Sequence, residues 1–295
     1  MESLISLALT RNNKVTTILS DLLGKEGSEG DIITGVKEYQ RLADSTGGLL
    51  INTNKFDVHD IVNIIGGGVE SSTVNIINLV GISGERLKVL PVDDSIVDLQ
   101  VQITGAVNTA VIIDAKGITY NLMDKASLEA ADNVEVVSYT NTFRAIKWTS
   151  PSYGQWNLTT NGPTSYSVEV FATSPLDFLA EFSVLDPSPP HPHYRHVTGR
   201  PLMNTVYYLE LTLVGYLEGH VDDLDSIYFL DMKGYELRNI IYSGNVSDHM
   251  YIRTEPLPEE SFFVCITGHL KTGKQYERVQ VVLVTPVETS VEVWA

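Results

Sequence analysis

The chain has 295 residues, 43% of them hydrophobic, which is enough for two or three packed domains. Its 37 acidic residues outnumber its 20 basic ones, and the formal net charge is −17. Nucleic-acid backbones are bound by clustered lysine and arginine, so this composition argues against a nucleic-acid partner. The single cysteine, Cys265, excludes an intramolecular disulfide framework, and its apolar neighbours predict a buried, inert thiol.

The N-terminus carries no recognisable targeting or membrane segment. Residues Met1 to Thr10 include the acidic Glu2 and lack a basic stretch before their apolar residues, unlike a secretory signal peptide. The longest uncharged apolar runs fall well short of the ~20 residues that a membrane-spanning helix needs. We therefore expect no membrane insertion, and a cytoplasmic location if the chain is complete.

The first 70 residues alternate between helical and strand-like patterns. Apolar residues recur at helical spacing around residues 4–9, 36–43 and 58–65. The short runs Val15–Leu19 and Leu49–Asn52 lie between them and are typical of strands. The order helix, strand, helix, strand, helix predicts right-handed crossovers and a small parallel sheet.

From Thr73 onward the apolar period changes to two, which predicts antiparallel strands. About seven short strands at regular spacing have the rhythm of an Ig-like sandwich. Within them, Asn161-Gly162-Pro163 joins two alternating runs, Gln155–Thr160 and Tyr166–Ala172, and this predicts a β-hairpin. The large aromatics Trp148 and Trp156 are predicted to enter one core.

A proline-rich run, Asp186–Arg195, has no periodicity and predicts a domain boundary. A second set of alternating strands follows it. In that set, Gly268–Gln275 is close to the phosphate-binding P-loop motif. However, Gln275 stands where the motif has serine or threonine, and a strand follows where the motif needs a helix. We therefore predict a hairpin loop. The predicted domains are an α/β segment over residues 1–70, a sandwich over 71–186, a Pro/His-rich linker over 187–196 and a second sandwich over 197–295.

Three segments resemble the hemicentins, beginning near the end of their von Willebrand factor A (VWA) domain. They are YQRLADSTGGLLINTNKFDVHDIVNII (Tyr39–Ile65), the motifs GQWNLTT, SYSVEV and SPLDFLAEF within Phe143–Phe182, and ESFFVCITGHLKTGKQYERVQVVLVTP (Glu260–Pro286). The resemblance implies an α+β multidomain fold: a partial VWA-like α/β segment followed by two antiparallel Ig-like or fibronectin-III-like β-sandwiches. The D-x-S-x-S metal loop of VWA domains has no counterpart here, so its metal site is not carried over.

Two other groups of residues are candidate metal ligands. His191, His193 and His196 fall within six residues of the linker, and imidazoles at this density predict a zinc or copper site. An exposed linker without metal is the alternative. The aspartates Asp222, Asp223 and Asp225 are candidates for a calcium site, but the glycine and glutamate spacing of an EF-hand loop is absent. An apolar strand follows them, so a solvated strand entry is the favoured alternative. No other cofactor is predicted.

Two functions from different classes follow. The first is a non-catalytic protein-interaction or structural protein of adhesion or matrix type, which self-associates through the truncated VWA-like sheet because unpaired strand edges can be covered by a second chain. The second is a small-molecule- or metal-binding protein, or a recruited enzyme, with a pocket between the α/β segment and the first sandwich. Hemicentin-like proteins are extracellular, so the resemblance implies an extracellular location for a fragment of a longer secreted chain.

Overall fold

A computed structural model describes residues 2–10, 13–20, 29–53, 73–187, 193–215 and 221–288. None of the helices in these ranges combines the length and the apolar character needed to cross a bilayer. The N-terminal part contains helix α1 (Glu2–Thr10), strand β1 (Thr17–Ser20), helix α2 (Glu29–Ser45) and strand β2 (Leu50–Thr53). Strands β1 and β2 pair in parallel, with Thr17 opposite Leu50.

The N-terminal elements follow the predicted order, but the predicted α+β fold class with a partial VWA domain is wrong. The parallel pair has two strands, and the rest of the described chain forms antiparallel sheets. The third helix predicted around residues 58–65 lies outside the described residues. Local periodicity identified helices and strands here, but two parallel strands do not establish the larger sheet of a VWA fold. The molecule is mainly an antiparallel β protein.

The first sandwich contains seven strands and one short helix. They are β3 (Thr73–Val92), β4 (Asp98–Gly105), β5 (Thr109–Ile113), β6 (Thr119–Asn121), helix α3 (Lys125–Glu129), β7 (Val134–Tyr139), β8 (Phe143–Thr149) and β9 (Gly154–Thr173). The pairing order is β6-β5-β9-β4-β8-β7, and β3 also pairs with β9. The N-terminal half of β9 pairs with β5 and its C-terminal half with β4. One layer therefore contains β5 and β6, the other contains β4, β8 and β7, and the long strands β9 and β3 run through both. An Ig-like fold has two separate sheets instead, so the Ig-like expectation is also wrong for this sandwich.

The predicted hairpin at Asn161-Gly162-Pro163 is wrong, because these residues lie inside strand β9. Ile82 pairs with Tyr166 and Gly84 pairs with Gly162, so three β9 residues lie opposite Ser83 alone. This bulge bends β9 and lets it pass from one layer to the other. Proline has no N–H to donate to the ladder, and a bulge accommodates that loss.

The core prediction for the two tryptophans is confirmed. Trp148 and Trp156 are both 0% exposed. Their rings meet edge to face at a centroid distance of 5.7 Å, and the Trp156 indole N–H donates to the carbonyl of Ser152 at 2.8 Å. These two side chains therefore stabilise the first sandwich and are not accessible to a ligand.

The second sandwich consists of two four-stranded antiparallel sheets. Its strands are β10 (Asp177–Asp186), β11 (His193–His196), β12 (Tyr208–Val214), β13 (Val221–Asp231), β14 (Glu236–Ile241), β15 (His249–Arg253), β16 (Phe262–Leu270) and β17 (Gln275–Val279). One sheet has the order β11-β10-β12-β15 and the other β14-β13-β16-β17. Strand β10, which the sequence analysis grouped with the first sandwich, thus pairs within the second. Strand β11 forms from the described part of the Pro/His-rich linker.

The N-terminal part packs on the outer face of the first sandwich. Leu49 and Ile51, on or next to β2, contact Phe143 and Ala145 of β8, and all four side chains are completely buried or nearly so. Strand β8 is therefore buried on both faces, since its Ile146 and Trp148 point into the core of the sandwich. This explains why its sequence lacks a polar face.

Candidate functional site

One outer face of the second sandwich carries a cluster of tyrosine, histidine and glutamate side chains. Side chains alternate along a strand, and Leu209 and Leu211 of β12 point into the core, so Tyr208 and Glu210 point outward. The same alternation turns His249 and Tyr251 of β15 outward, and Tyr194 and His196 of β11 share this face. We call it the tyrosine-histidine face; it comprises Tyr194, His196, Tyr208, Glu210, His249 and Tyr251.

Glu210 lies between two imidazoles at the centre of this face. Its Oε2 is 3.4 Å from Nδ1 of His196, and its Oε1 is 3.2 Å from Nε2 of His249. The buried Ser183 hydroxyl donates to Oε2 at 3.2 Å, which fixes the carboxylate from beneath. Only 15% of the Glu210 side chain is exposed, against 59% for His196 and 42% for His249. The histidines therefore shelter the carboxylate and are themselves accessible.

The tyrosine rings form a continuous row next to Glu210. Tyr194 and Tyr251 stack with a centroid distance of 3.8 Å and an interplanar angle of 8°, although their strands are the two edges of the sheet. Tyr208 meets Tyr194 edge to face at 5.0 Å, and His249 meets Tyr251 in the same way at 5.0 Å. Desolvation, together with the negative charge of Glu210, raises the pKa of Tyr251.

The three histidines predicted as metal ligands do not share one face in the described structure. His191 lies outside the described residues. His193 and His196 are three positions apart on β11, so their side chains leave opposite faces of the sheet. A zinc site made by these three histidines stays a prediction. His196 contacts Glu181 as well as Glu210, with 3.3 Å between Glu181 Oε2 and its Nδ1.

Of the three aspartates considered for calcium, two converge on His269, which was not among the candidate ligands. Asp223 and Asp225 of β13 lie beside His269 of β16, and Asp222 is exposed. His269 Nδ1 is 3.1 Å from Asp223 Oδ1 and 3.2 Å from Asp225 Oδ2. The two aspartates and His269 are more than 40 residues apart in sequence, and the pairing of β13 with β16 brings them together.

A cavity of about 140 Å³ adjoins the tyrosine-histidine face and is lined by Glu181, His196, Arg200 and Gln280, among other residues. The Arg200 guanidinium is held in its wall by two carbonyls, with Nε donating to Thr285 at 2.7 Å and Nη2 to Pro286 at 3.2 Å. Burial lowers the pKa of Arg200. This cavity belongs to the second sandwich; the pocket predicted between the α/β segment and the first sandwich stays a prediction.

Sequence comparisons relate the chain to hemicentins. Residues 73–175 match the family described as hemicentin galactose-binding domain-like, and this range coincides with the first sandwich. The chain is 23% identical over 254 residues to hemicentin-1 of Mus musculus and 22% identical over 259 residues to hemicentin-1 of Homo sapiens. Each alignment covers 83% of this chain and 4% of the relative, so the chain spans a small part of the curated relatives it matches. The predicted hemicentin-like relationship is confirmed, but its VWA part is not matched by the family description.

Two solved structures are similar in part. A DUF4785 family protein from Legionella pneumophila aligns with a TM-score of 0.38 and 10% identity over 73% of this chain and 64% of its own. The lipase of Bacillus licheniformis in propeptide form aligns with a TM-score of 0.28 and 9% identity over 90% of this chain and 62% of its own. Similarity at this level carries no argument about fold or activity.

Proposed function

We propose that this chain is a non-catalytic, extracellular interaction module of matrix or adhesion type that binds a basic protein surface through the tyrosine-histidine face. The observation that carries the proposal is the sheltered carboxylate of Glu210 beside the stacked rings of Tyr194 and Tyr251. The hemicentin-like relationship supports the matrix role and an extracellular rather than a cytoplasmic location. Self-association through a VWA-like sheet is not part of the proposal.

The chemistry of this face favours lysine and arginine. Tyrosine rings attract a guanidinium or ammonium group by about 0.5–1 kcal/mol at exposed sites. Glu181 and Glu210 supply carboxylates next to the rings, and the chain as a whole has a net charge of −17, which accelerates encounter with a positively charged partner. Tyrosine is also among the residue types that dominate binding energy at protein interfaces.

The same face contains serine, histidine and glutamate, but their arrangement does not suit nucleophilic catalysis. In a Ser-His-acid triad the serine and the acid contact opposite nitrogens of the imidazole. Here Ser183 Oγ at 3.5 Å and Glu210 Oε2 at 3.4 Å both approach Nδ1 of His196. Ser183 is 0% exposed, so a substrate does not reach its hydroxyl. This geometry supports binding over hydrolysis.

The proposal is tested by biolayer interferometry with a solubilised extracellular-matrix protein extract on the sensor. We expect the wild-type chain to bind, Tyr251→Ala and Glu210→Gln each to weaken binding by about tenfold, and free octa-arginine to compete. The matched control is Tyr153→Ala, which removes an exposed tyrosine from the first sandwich.

Binding should also weaken as NaCl increases, because the exposed charges are screened. Equal binding by wild type, Tyr251→Ala and Glu210→Gln would contradict the assignment of this face. Competition by octa-glutamate in place of octa-arginine would contradict the basic character of the partner.

A further inference from the structure

We infer that Asp223, Asp225 and His269 form a binding site for a divalent transition-metal ion on the other sheet of the second sandwich. The inference is independent of the proposed function, because these residues lie on β13 and β16 and not on the tyrosine-histidine face. It rests on the convergence of two carboxylates and one imidazole from two adjacent strands.

Strand pairing places the three residues together. Asp223 is directly opposite His269 in the register of β13 and β16. The register shifts on both sides of Asp223, between Val221 and Asp223 and again between Leu224 and Ser226, so Asp225 has no partner of its own. Leu224 between the aspartates points into the core, and both carboxylates therefore lie on the outer face with the imidazole.

The distances from the His269 imidazole to the two carboxylates are close to those between ligands of one small cation. Zinc binds imidazole nitrogen and carboxylate oxygen at about 2.0–2.2 Å, so two ligand atoms of a tetrahedral site lie roughly 3.3–3.5 Å apart. The His269 Nδ1 is 3.1 Å from Asp223 Oδ1 and 3.2 Å from Asp225 Oδ2. One ligand atom from each residue lies within 4.8 Å of the other two. The imidazole nitrogen therefore lies within a few tenths of an ångström of ligand spacing from each of the two carboxylate oxygens.

The neighbouring groups hold the ligands in place. The backbone N–H of His269 donates to Asp223 Oδ1 at 2.7 Å, and the hydroxyl of the buried Tyr276 donates to the backbone carbonyl of Asp223 at 3.0 Å. Such outer contacts orient metal ligands and contribute to affinity. The side chains of Asp223, Asp225 and His269 are 48%, 41% and 40% exposed, which leaves room for water ligands on the open side.

The donor set favours a transition metal over calcium. Two carboxylates and a neutral imidazole give two negative charges and mixed oxygen and nitrogen donors, which suit Zn²⁺ and similar ions. Calcium takes 6–8 oxygen ligands. Without a metal, the imidazole Nδ1 of His269 hydrogen-bonds to Asp223 Oδ1.

The test is isothermal titration calorimetry with ZnCl₂ on the whole chain after EDTA treatment and gel filtration. We expect one Zn²⁺ per chain at this site, with affinity reduced about tenfold or more by His269→Gln and by Asp225→Asn. Asp222→Asn is the matched control, because it removes a neighbouring aspartate that is not in the cluster. A second control, His249→Ala, removes an imidazole from the tyrosine-histidine face. The measured zinc affinity should not change in this variant if the zinc binds at Asp223, Asp225 and His269.

Thermal denaturation of the same variants distinguishes lost ligands from lost folding. Without metal, the melting temperatures of wild type, His269→Gln and Asp225→Asn should be similar, since all three ligand side chains are partly exposed. Added ZnCl₂ should raise the melting temperature of wild type and of Asp222→Asn, but not of the two ligand variants. The inference is overturned if wild type gives no binding heat, or if the ligand variants retain wild-type affinity.

Discussion

Arg278 of β17 forms a completely buried ion pair with Asp93, which follows β3: Nη1 is 2.8 Å from Oδ2, and both side chains are 0% exposed. The guanidinium also donates through Nε to the carbonyl of Leu176 at 2.8 Å, and through Nη2 to the hydroxyls of Ser95 and Ser174, each at 3.0 Å. One arginine thus joins the two sandwiches and the short connection between them.

Removing either partner of this pair should strongly destabilise the molecule. Asp93→Asn leaves a buried arginine without its counter-charge, and we expect a loss of about 3–5 kcal/mol in the free energy of unfolding. Urea denaturation, monitored by tryptophan fluorescence, measures this loss of stability. The control is Lys147→Gln, which breaks a partly exposed pair with Asp98 and should cost less than about 1 kcal/mol. Similar losses in both variants would contradict the structural role assigned to Arg278.

Gly162→Ala and Gly35→Ala should change stability in opposite directions. A Cβ at Gly162 would lie 2.6 Å from Cδ1 of Tyr166 and 2.7 Å from the carbonyl oxygen of Ala106, so we expect the bulge in β9 to be disturbed at a cost of about 1–3 kcal/mol. A Cβ at Gly35 meets nothing within 4 Å, and alanine in a helix stabilises by roughly 0.5–1 kcal/mol. Urea midpoints measure both changes, and a neutral effect at Gly162 would show that β9 bends without this close approach.

Asp177→Asn should stabilise the molecule at neutral pH and have no effect in acid. Desolvation raises the pKa of Asp177 above its ordinary value of 3.8, although the Phe178 N–H and Arg278 oppose the shift. The folded state therefore binds this proton more tightly than the unfolded state, and stability falls as the pH rises from 3.8 through the raised value. Because asparagine does not ionise, Asp177→Asn removes this loss of stability at neutral pH.

The measurement for Asp177 is a series of urea midpoints for wild type and Asp177→Asn from about pH 3 to about pH 7. The difference should be largest at the upper end and vanish below the ordinary pKa of the carboxyl. Asp248→Asn, at an exposed position, is the control for the general loss of one negative charge. A difference that is largest in acid would contradict the direction of the shift.

Tyr194 and Tyr251 should show a favourable coupling energy. Their stacked rings connect the two edge strands of one sheet, and aromatic pairs contribute about 0.5–1.5 kcal/mol beyond the area that they bury. A double-mutant cycle with Tyr194→Leu and Tyr251→Leu, measured by urea denaturation, isolates this term. Additive effects of the two substitutions would mean that the rings do not stack in solution.

Two glycine-containing segments illustrate what the sequence could and could not predict. The hairpin at Gly268–Gln275 is confirmed: Leu270 N–H donates to the carbonyl of Lys274 at 2.8 Å between β16 and β17. The turn signal of Asn161-Gly162-Pro163 is as strong as that of Gly268–Gln275, but strand β9 continues through these residues. The difference is set by β3, which runs alongside both halves of β9 and pairs with them. Such a partner, about 80 residues away in sequence, cannot be found from a local turn signal.

The candidate sites show the same limit. The sequence singled out His196, Asp223 and Asp225 as candidates, because clustered imidazoles and carboxylates are unusual. Their partners Glu210, His249 and His269 stand singly on other strands, and no local pattern distinguishes them from ordinary outward-facing residues. Sheet register alone decides which of these side chains meet.

The connection at residues 174–176 has a mechanical consequence. Strand β9 ends at Thr173 and β10 begins at Asp177, so the first sandwich passes into the second over a very short stretch. Ser174 and Leu176 within it are both buried and both bonded to Arg278. A joint that is clamped in this way resists bending. We therefore expect the two sandwiches to keep one relative orientation, so that a partner bound at the face proposed above would lie at a set distance and angle from the first sandwich.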